Sequence, residues 1–234
     1  MSLRTNHILV AAVLAIVQWS CGNSMLDRRL DEGVIEYDLS FPDYDPNGLM
    51  AGMLPEKTTL TFTENKQVAE LSAGMGLFRT SMIADNDERK LDYQLSVLSK
   101  KLVAHLQQRD MLIFNKGSIA MTILRTEETD TIAGYPCHKA VAIFNSIDQP
   151  EIELWYTDRI NMEDPNWFGP FADVPGVLMR YEVVQYGMRM RLDAVAVEPG
   201  PIDPTKFKVR PDHRQVTPDV LNNELQELLG TFTL

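Results

Sequence analysis

Residues 33–41, GVIEYDLSF, alternate apolar and polar side chains without a break, and this alternation decides the predicted fold class. Successive side chains of a β-strand point to opposite faces of the sheet. A period of two is therefore typical of a strand with one face buried and the other in water. The buried face would carry Ile35, Tyr37, Leu39 and Phe41.

The same period recurs along the chain, at residues 58–65, 90–97 and 186–194. Residues 139–144, KAVAIF, are apolar on both faces and should be covered on both sides. Polar clusters between these segments supply turns. Strands at this spacing, without long helical patterns between them, predict a mostly β (α+β) fold. We expect one large curved antiparallel sheet, in the form of a barrel, half-barrel or sandwich.

Residues 217–230, TPDVLNNELQELLG, form the most clearly predicted helix. Thr217 suits the N-cap, Pro218 the first helical position and Gly230 the end. The apolar stripe of this helix consists of Leu221, Leu225, Leu228 and Leu229. A second helix is predicted near residues 109–115. Because an amphipathic helix must bury its stripe, we expect it to pack on the concave or open face of the sheet.

Residues 8–17, ILVAAVLAIV, carry no charge and follow Arg4. A helix that spans a bilayer needs ~20 apolar residues, so this run is too short for an ordinary transmembrane helix. A basic start, a short apolar stretch and a small residue before the cleavage point are typical of a secretory signal, which we place at residues 1–20. A buried N-terminal helix is the alternative.

The pair Ser20–Cys21 resembles a bacterial lipobox, in which the cysteine becomes the lipidated first residue. We therefore predict that Cys21 carries lipid, that residues 21–32 form a tether, and that residues 33–234 form a single domain. The other cysteine, Cys137, would then have no intramolecular partner and is expected to be a buried, reduced thiol.

The formal net charge of −11 excludes some classes of partner. Nucleic-acid binding needs a basic surface, so none is predicted. Broad electrostatic docking on anionic lipid is disfavoured for the same reason. With 44% hydrophobic residues, the chain can still build a sizeable core.

A search for catalytic or metal-binding motifs finds none. No two histidines stand at metal-ligand spacing, and Cys137 and His138 are neighbours on a strand, so their side chains point to opposite faces. Asp158 and Glu163 are the best-placed carboxylate pair, although solvated surface charges explain them equally well. The sequence therefore predicts no catalytic residue, no metal and no cofactor.

The connection between residues 158 and 176 is long for a compact domain and carries the aromatic residues Trp167, Phe168 and Phe171. Structureless connections above ~12–15 residues are usually functional or disordered, and this one is too aromatic for simple disorder. Its rings form either a plug packed on the sheet or a lid over a pocket. Met50 and Met53, in a second irregular stretch, are candidates for the rim, so these five residues are the predicted ligand-binding set.

Three segments carry a family resemblance. Residues 129–144, TDTIAGYPCHKAVAIF, resemble a T-I-x-G-Y-x-C-x-K-A segment of the GLPGLI proteins, and residues 154–160, LWYTDRI, are similar to their W-Y-T segment. Residues 173–178, DVPGVL, occupy the position of the GLPGLI motif that gives the family its name, and Pro175 and Gly176 match that motif. The chain resembles a related uncharacterised family of exported domains. Both families look like distant relatives of the LolA and LolB lipoprotein carriers.

This resemblance implies a LolA-like half-barrel wrapped around one or two helices, with an apolar cavity between them and no catalytic residues. The predicted function is that of an exported lipoprotein. It would bind or carry an apolar or amphipathic molecule, such as a lipid or a lipoprotein acyl chain, in the envelope of a Gram-negative bacterium, at the outer membrane or in the periplasm. The alternatives are a protein–protein interaction module and an enzyme with an unrecognised carboxylate site.

The lipidation of Cys21 can be tested by expression in a Gram-negative host. The unaltered chain should partition with membranes, whereas the Cys21→Ser chain should not, because serine cannot form the thioether to the lipid. The measurement is the distribution of both chains between the membrane and soluble fractions, and an equal distribution would rule out lipidation.

Overall fold

The structure is a computed structural model that describes residues 29–45, 51–115, 120–145 and 151–230. The predicted signal segment, Cys21 and Met50 lie outside these residues. Within the predicted tether, Leu30 is described and forms a parallel bridge with Ile160. Its amide donates to the carbonyl of Arg159 at 2.8 Å, so this end of the predicted tether packs against the fold.

The described residues form one twelve-stranded sheet that does not close on itself. Along the sheet the strands follow the order β12-β6-β5-β4-β3-β2-β1-β11-β10-β9-β8-β7, and neighbours are antiparallel except β12 and β6. The predicted mostly β fold with one large curved antiparallel sheet is therefore confirmed, as an open half-barrel. The strands are β1 (Gly33–Ser40), β2 (Lys57–Phe62), β3 (Lys66–Ala73), β4 (Phe78–Asp85), β5 (Lys90–Val97), β6 (Lys100–Gln107), β7 (Met121–Ile132), β8 (Tyr135–Phe144), β9 (Ile152–Thr157), β10 (Val177–Gln185), β11 (Met188–Pro199) and β12 (Arg214–Gln215).

Two α-helices accompany the sheet in the described residues: α1 (Met111–Phe114) and α2 (Pro218–Gly230). Both lie where the sequence predicted them, and α1 is a single turn that follows a 3₁₀ turn at Gln108–Asp110. On α2, Leu221 and Leu225 are fully buried against the sheet, as the apolar stripe predicted. No helix in the described part of the chain is long and apolar enough to span a bilayer.

Strand β1 lies in the middle of the sheet, between β2 and β11. Ile35, Tyr37 and Leu39 are buried on its concave face, as the alternation predicted. The Tyr37 hydroxyl donates to the carbonyl of Leu178 on β10 at 2.8 Å, which satisfies the polar end of a buried ring.

The opposite face of β3 to β6 is covered by residues 200–216, which we call the C-terminal strap. The amide of Arg210 donates to Oε1 of Gln94 at 2.9 Å, and β12 pairs with β6. Gln94 is only 3% exposed as a result. The alternation in β5 had indicated a water-facing side here, and the strap overturns that expectation by supplying polar partners from a distant part of the chain.

Cys137 is buried at 1% exposure, which confirms the predicted burial of this thiol, and it forms no disulfide with a described residue. Because Cys21 lies outside the described residues, the reduced state of the thiol stays a prediction. Its Sγ donates to the carbonyl of Tyr135 at 3.4 Å. Burial raises the pKa of this thiol from 9.0 to about 11, because an apolar environment disfavours the thiolate. The thiol should therefore be unreactive in the native state.

Alkylation of the full-length Cys21→Ser chain tests this. At pH 8 we expect the native protein to resist iodoacetamide and the denatured protein to react fully, as followed by intact mass. Because the native pKa is raised, the contribution of this thiol to the free energy of unfolding should be constant below pH 9 and fall as the pH rises towards 11. The contribution is the difference in the free energy of unfolding from a chain with Cys137→Ala. Rapid alkylation of the native chain would contradict the burial of this group.

Candidate ligand-binding cavity

A cavity of about 1100 Å³ lies on the concave face of the sheet. Its walls are strands β1 to β5, β10 and β11, both helices, and the connection between residues 158 and 176. The volume is slightly above the range of ordinary ligand pockets, which span ~300–1,000 Å³. The sheet curves around more space than the side chains of this face fill.

The lining of the cavity carries no formal charge among the described residues: none of them is Asp, Glu, Lys, Arg or His. Leucine, valine, phenylalanine, tyrosine and methionine side chains supply most of the surface. Five methionines contribute, and their unbranched thioethers adapt to ligands of varied shape. These are Met53, Met82, Met111, Met188 and Met190.

Most polar groups at the cavity wall are bonded to the protein itself. The Tyr186 hydroxyl donates to Oδ1 of Asn222 at 3.1 Å. Asn166 Nδ2 donates to the carbonyls of Val174 and Gly176 at 2.9 and 2.8 Å. A wall whose amides already have partners presents an essentially apolar surface to a ligand.

Two tyrosines of the cavity wall have no such hydrogen-bond partner in the described part of the chain. Tyr93 on β5 and Tyr181 on β10 both line the cavity, and neither hydroxyl makes a hydrogen bond with another described residue. Burial raises the pKa of both phenols, so they remain protonated and able to donate. They are among the polar groups that a ligand could engage from inside the cavity, together with Gln185 and Gln226.

The long connection is held in place by a buried polar contact at the β4–β5 turn. Oδ1 of Asn86, which is 1% exposed, accepts from Nε2 of Gln67 at 3.0 Å and from Nε1 of Trp167 at 3.1 Å. Gln67 also donates to the carbonyl of Pro165 at 2.7 Å. The guanidinium of Arg89 lies 5.7 Å from the centre of the indole ring, a cation–π contact. We call these residues the Asn86 node.

Of the five predicted ligand-binding residues, some line the cavity and others do not. Phe168, Phe171 and Met53 line the cavity. Trp167 is not part of the lining, because its ring packs in the core against α2 and its nitrogen is bonded to Asn86. Met50 lies outside the described residues. The connection is therefore a plug at Trp167 and a cavity wall at Phe168 and Phe171.

Most of the cavity is formed by strand residues that no sequence motif distinguished. The alternation at residues 90–97 and 186–194 puts Tyr93, Met188 and Met190 on the apolar faces of their strands, and all three line the cavity. Alternation alone cannot separate an inward residue that contacts a helix from one that faces empty space, because that depends on how much of the concave face the helices cover.

Ser96, His213 and Asp212 are connected like a catalytic triad, which no sequence motif had indicated. Ser96 Oγ and His213 Nε2 lie 2.9 Å apart, and His213 Nδ1 and Asp212 Oδ1 also lie 2.9 Å apart. The imidazole is only 2% exposed, and neither Ser96 nor His213 lines the cavity. A triad also needs an accessible nucleophile with oxyanion donors beside it. The arrangement here fastens the C-terminal strap to β5.

Asp212 is additionally paired with Lys101 at 2.5 Å. The hydrogen bonds from Lys101 and His213 lower the pKa of its carboxyl to about 2, so it is ionised throughout the ordinary pH range. This second bond joins the strap to β6 as well as to β5.

Asp158 and Glu163, the best-placed carboxylate pair in the sequence, do not face a common site. Asp158 lies 3.5 Å from the guanidinium of Arg159, whereas Glu163 shares a hydrogen bond with Asp87 that raises its pKa. Neither carboxylate lines the cavity. Among the residues that the structure describes, no group of three or more His, Cys, Asp and Glu could hold a metal ion.

Residues 56–169 match a family model described as the N-terminal domain of an N-glycanase, PNGase F-II. Among solved structures, PNGF-II aligns with a TM-score of 0.53 and 16% identity, over 84% of this chain and 33% of PNGF-II. This chain thus spans about a third of the length of that protein. At this level of identity, the likeness shows a shared fold.

Two further solved structures are similar at lower TM-scores. The MucA/MucB complex of Pseudomonas aeruginosa aligns at 0.36, with 9% identity over 81% of this chain and 59% of the other. A β-barrel-like protein of unknown function from Brucella abortus aligns at 0.33, with 9% identity over 74% and 100%. A comparison with curated protein sequences finds no match. The resemblance to the GLPGLI family and to LolA and LolB stays a prediction.

The role of Trp167 as a plug can be tested by graded truncation. Trp167→Ala should lower the free energy of unfolding by ~3–5 kcal/mol, because it removes a large buried ring. Trp167→Phe keeps a ring but loses the donor to Asn86, so it should lower it by only ~0.5–1.5 kcal/mol. Urea denaturation followed by circular dichroism measures both. A loss below 1 kcal/mol for Trp167→Ala would mean that the ring opens freely as a lid.

Proposed function

We propose that this protein binds an apolar or amphipathic molecule in its concave cavity and catalyses no reaction there. The observation that carries this proposal is the absence of ionisable Asp, Glu, Lys, Arg and His side chains from the described lining of a cavity of about 1100 Å³. Acid–base and nucleophilic mechanisms need titratable groups within reach of the substrate. Apolar walls of this extent instead gain free energy by removing hydrocarbon from water.

The shape and chemistry of the cavity define the ligand class. A chain of methylene groups could follow the concave face, while a charged headgroup would find no counter-ion among the described lining residues and would stay at the mouth. Tyr93 and Tyr181 could donate to an ester, amide or carboxylic acid oxygen that enters. A fatty acid, a lipid or the acyl chain of a lipoprotein meets these conditions.

The proposed location is the cell envelope of a Gram-negative bacterium, at the outer membrane or in the periplasm. It rests on the predicted signal at residues 1–20 and on Cys21 as the predicted lipid-bearing residue. A lipid anchor would hold the cavity close to a membrane, where apolar ligands are found. Lipid anchoring and lipid carriage are both parts of this proposal.

The likeness to the N-terminal domain of an N-glycanase does not carry that enzyme's activity to this chain. This chain spans about a third of PNGF-II, and the matched family is a domain at one end of the enzyme. The charge-free lining favours a binding role for the domain in this chain.

A second candidate function is docking of a protein partner along the open edge of the sheet. Strand β7 ends the sheet, and most of its residues are exposed. The strand of a partner could pair with this edge through backbone hydrogen bonds. The register between β7 and β8 is interrupted between Arg125 and Thr129, which limits the length of edge on offer.

Binding of a dansyl-labelled fatty acid tests the proposed function. The purified protein should enhance and blue-shift the dansyl emission, and native mass spectrometry should detect the bound molecule. Ala69→Phe projects a ring into the cavity from the middle of β3 and should weaken binding by ~tenfold or more, which corresponds to ~1.4 kcal/mol.

Ser72→Phe is the matched control, because Ser72 lies on the same strand, is exposed and faces away from the cavity. It should leave the affinity unchanged. If the unaltered protein fails to bind the probe and releases no lipid on solvent extraction, the proposal is wrong and docking along β7 becomes the better explanation.

A further inference from the structure

Three uncharged turns meet at the mouth of the cavity. They comprise residues 51–55 (AGMLP), 74–77 (GMGL) and 98–99 (LS), without a single charged side chain in a protein that is 24% charged. The turns touch one another: the amide of Leu98 donates to the carbonyl of Leu77 at 3.0 Å, and the 3₁₀ turn Ala51–Met53 contacts Gly74–Gly76. We call this surface the apolar rim.

The rim exposes four large apolar side chains. Met75 is fully exposed at 102%, Leu98 is 76% exposed, Leu77 56% and Met53 47%. Single exposed apolar residues are ordinary on protein surfaces, but a contiguous group at a cavity mouth marks an interaction site. Met53, Leu77 and Leu98 also line the cavity, so the rim and the cavity form one continuous apolar surface.

Backbone geometry at the rim is unfavourable for the residues found there. Met75 has φ = 55° and Leu98 has φ = 50°, in the left-handed region that glycine and asparagine tolerate best. Leu98 opens the two-residue loop between β5 and β6. The second loop residue, Ser99, is not among those with positive φ, and in such a turn glycine is the usual first residue. Neither backbone position therefore favours the side chain found there.

We infer that the apolar rim inserts into the surface of a phospholipid bilayer and joins the cavity to the membrane. This inference deepens the proposed function, because an apolar ligand could then pass between bilayer and cavity without crossing water. Short uncharged tips can enter the acyl region with little desolvation of charge. The guanidinium of Arg79 lies against Gly76 and, at the end of a long exposed side chain, can stay among the lipid headgroups.

A protein partner fits the rim less well. The cores of protein interfaces are enriched in aromatic residues, methionine and arginine, and the hot spots among them are mostly tryptophan, tyrosine and arginine. Of these residue types the three turns carry only Met53 and Met75. Attraction to anionic lipid cannot drive the insertion, since the chain has a net charge of −11. Insertion should therefore occur on zwitterionic lipid and should not weaken with salt.

Depth-dependent quenching tests the rim. Insertion of a few side chains is weak and reversible, so the full-length Cys21→Ser chain should still be recovered in the soluble fraction of cells. In this chain, an environment-sensitive fluorophore is attached at Leu98→Cys, while buried Cys137 remains unlabelled. The matched control is Leu124→Cys on β7, where the native leucine is also exposed, at 49%. On vesicles of phosphatidylcholine brominated in the acyl chains, the label at position 98 should shift to the blue and be quenched at low and high salt. The label at position 124 should not.

Equal quenching at the two positions, or none at position 98, would overturn the inference. This readout does not depend on ligand binding, so it separates failure of the rim from failure of the proposed function.

A second experiment connects the rim to the cavity. Met75→Asn suits the left-handed backbone, so stability should be retained or raised, and Met75 does not line the cavity. Uptake of the dansyl fatty acid from vesicles should slow several-fold, whereas its affinity when added from water should not change. Unaltered uptake by the folded variant would contradict membrane transfer through the rim.

Discussion

The concave face of an open, twelve-stranded half-barrel is too large for the helices that accompany it, and this constraint shapes the rest of the described structure. A closed barrel would fill its interior with its own side chains or enclose a cavity. Here α2 covers β5 and β6 with Leu221 and Leu225, and α1 adds a single turn. The rest of the apolar face lies on β1 to β4, β10 and β11. The long connection covers part of it, and the remainder borders the cavity.

The connection can act as a wall because its backbone is fixed by polar contacts. Exposed ion pairs contribute little to stability, so the pairing of Arg89 with Asp164 would not hold the segment alone. The bonds from Gln67 and Trp167 to Asn86 are buried, and breaking one leaves polar atoms unsatisfied at greater cost. The Asn86 node therefore sets where Phe168 and Phe171 stand relative to the sheet, and through them the end of the cavity.

Local pattern made much of the fold predictable. The alternation in β1 and β5 placed their inward residues correctly, and the leucine spacing located α2. The sequence also identified the long connection as special and predicted Phe168, Phe171 and Met53 as ligand-binding residues. All three line the cavity, and ligand binding there stays a proposal. These predictions rest on interactions between residues close in sequence, or on the single rule that apolar faces turn inward.

The remaining features depend on residues far apart in the chain. Trp167 meets Asn86 across 81 positions, and Arg210 meets Gln94 across 116. No periodicity shows that a glutamine on the outer face of β5 will be covered by a strap. The absence of charged residues from the cavity lining could not be predicted from the sequence either, because it depends on which strand faces the helices leave uncovered.

The distribution of charge explains how one domain could combine solubility with an apolar cavity. Its ionic groups lie on outer faces and in turns, often in pairs such as Lys100 with Glu224, and the excess of acidic groups keeps molecules apart. None of these charges reaches the described cavity lining, so ligand choice there would depend on apolar area and shape. Methionines make that surface adaptable. A cavity of this kind would discriminate poorly among acyl chains, and its access to them would depend on where the rim can reach.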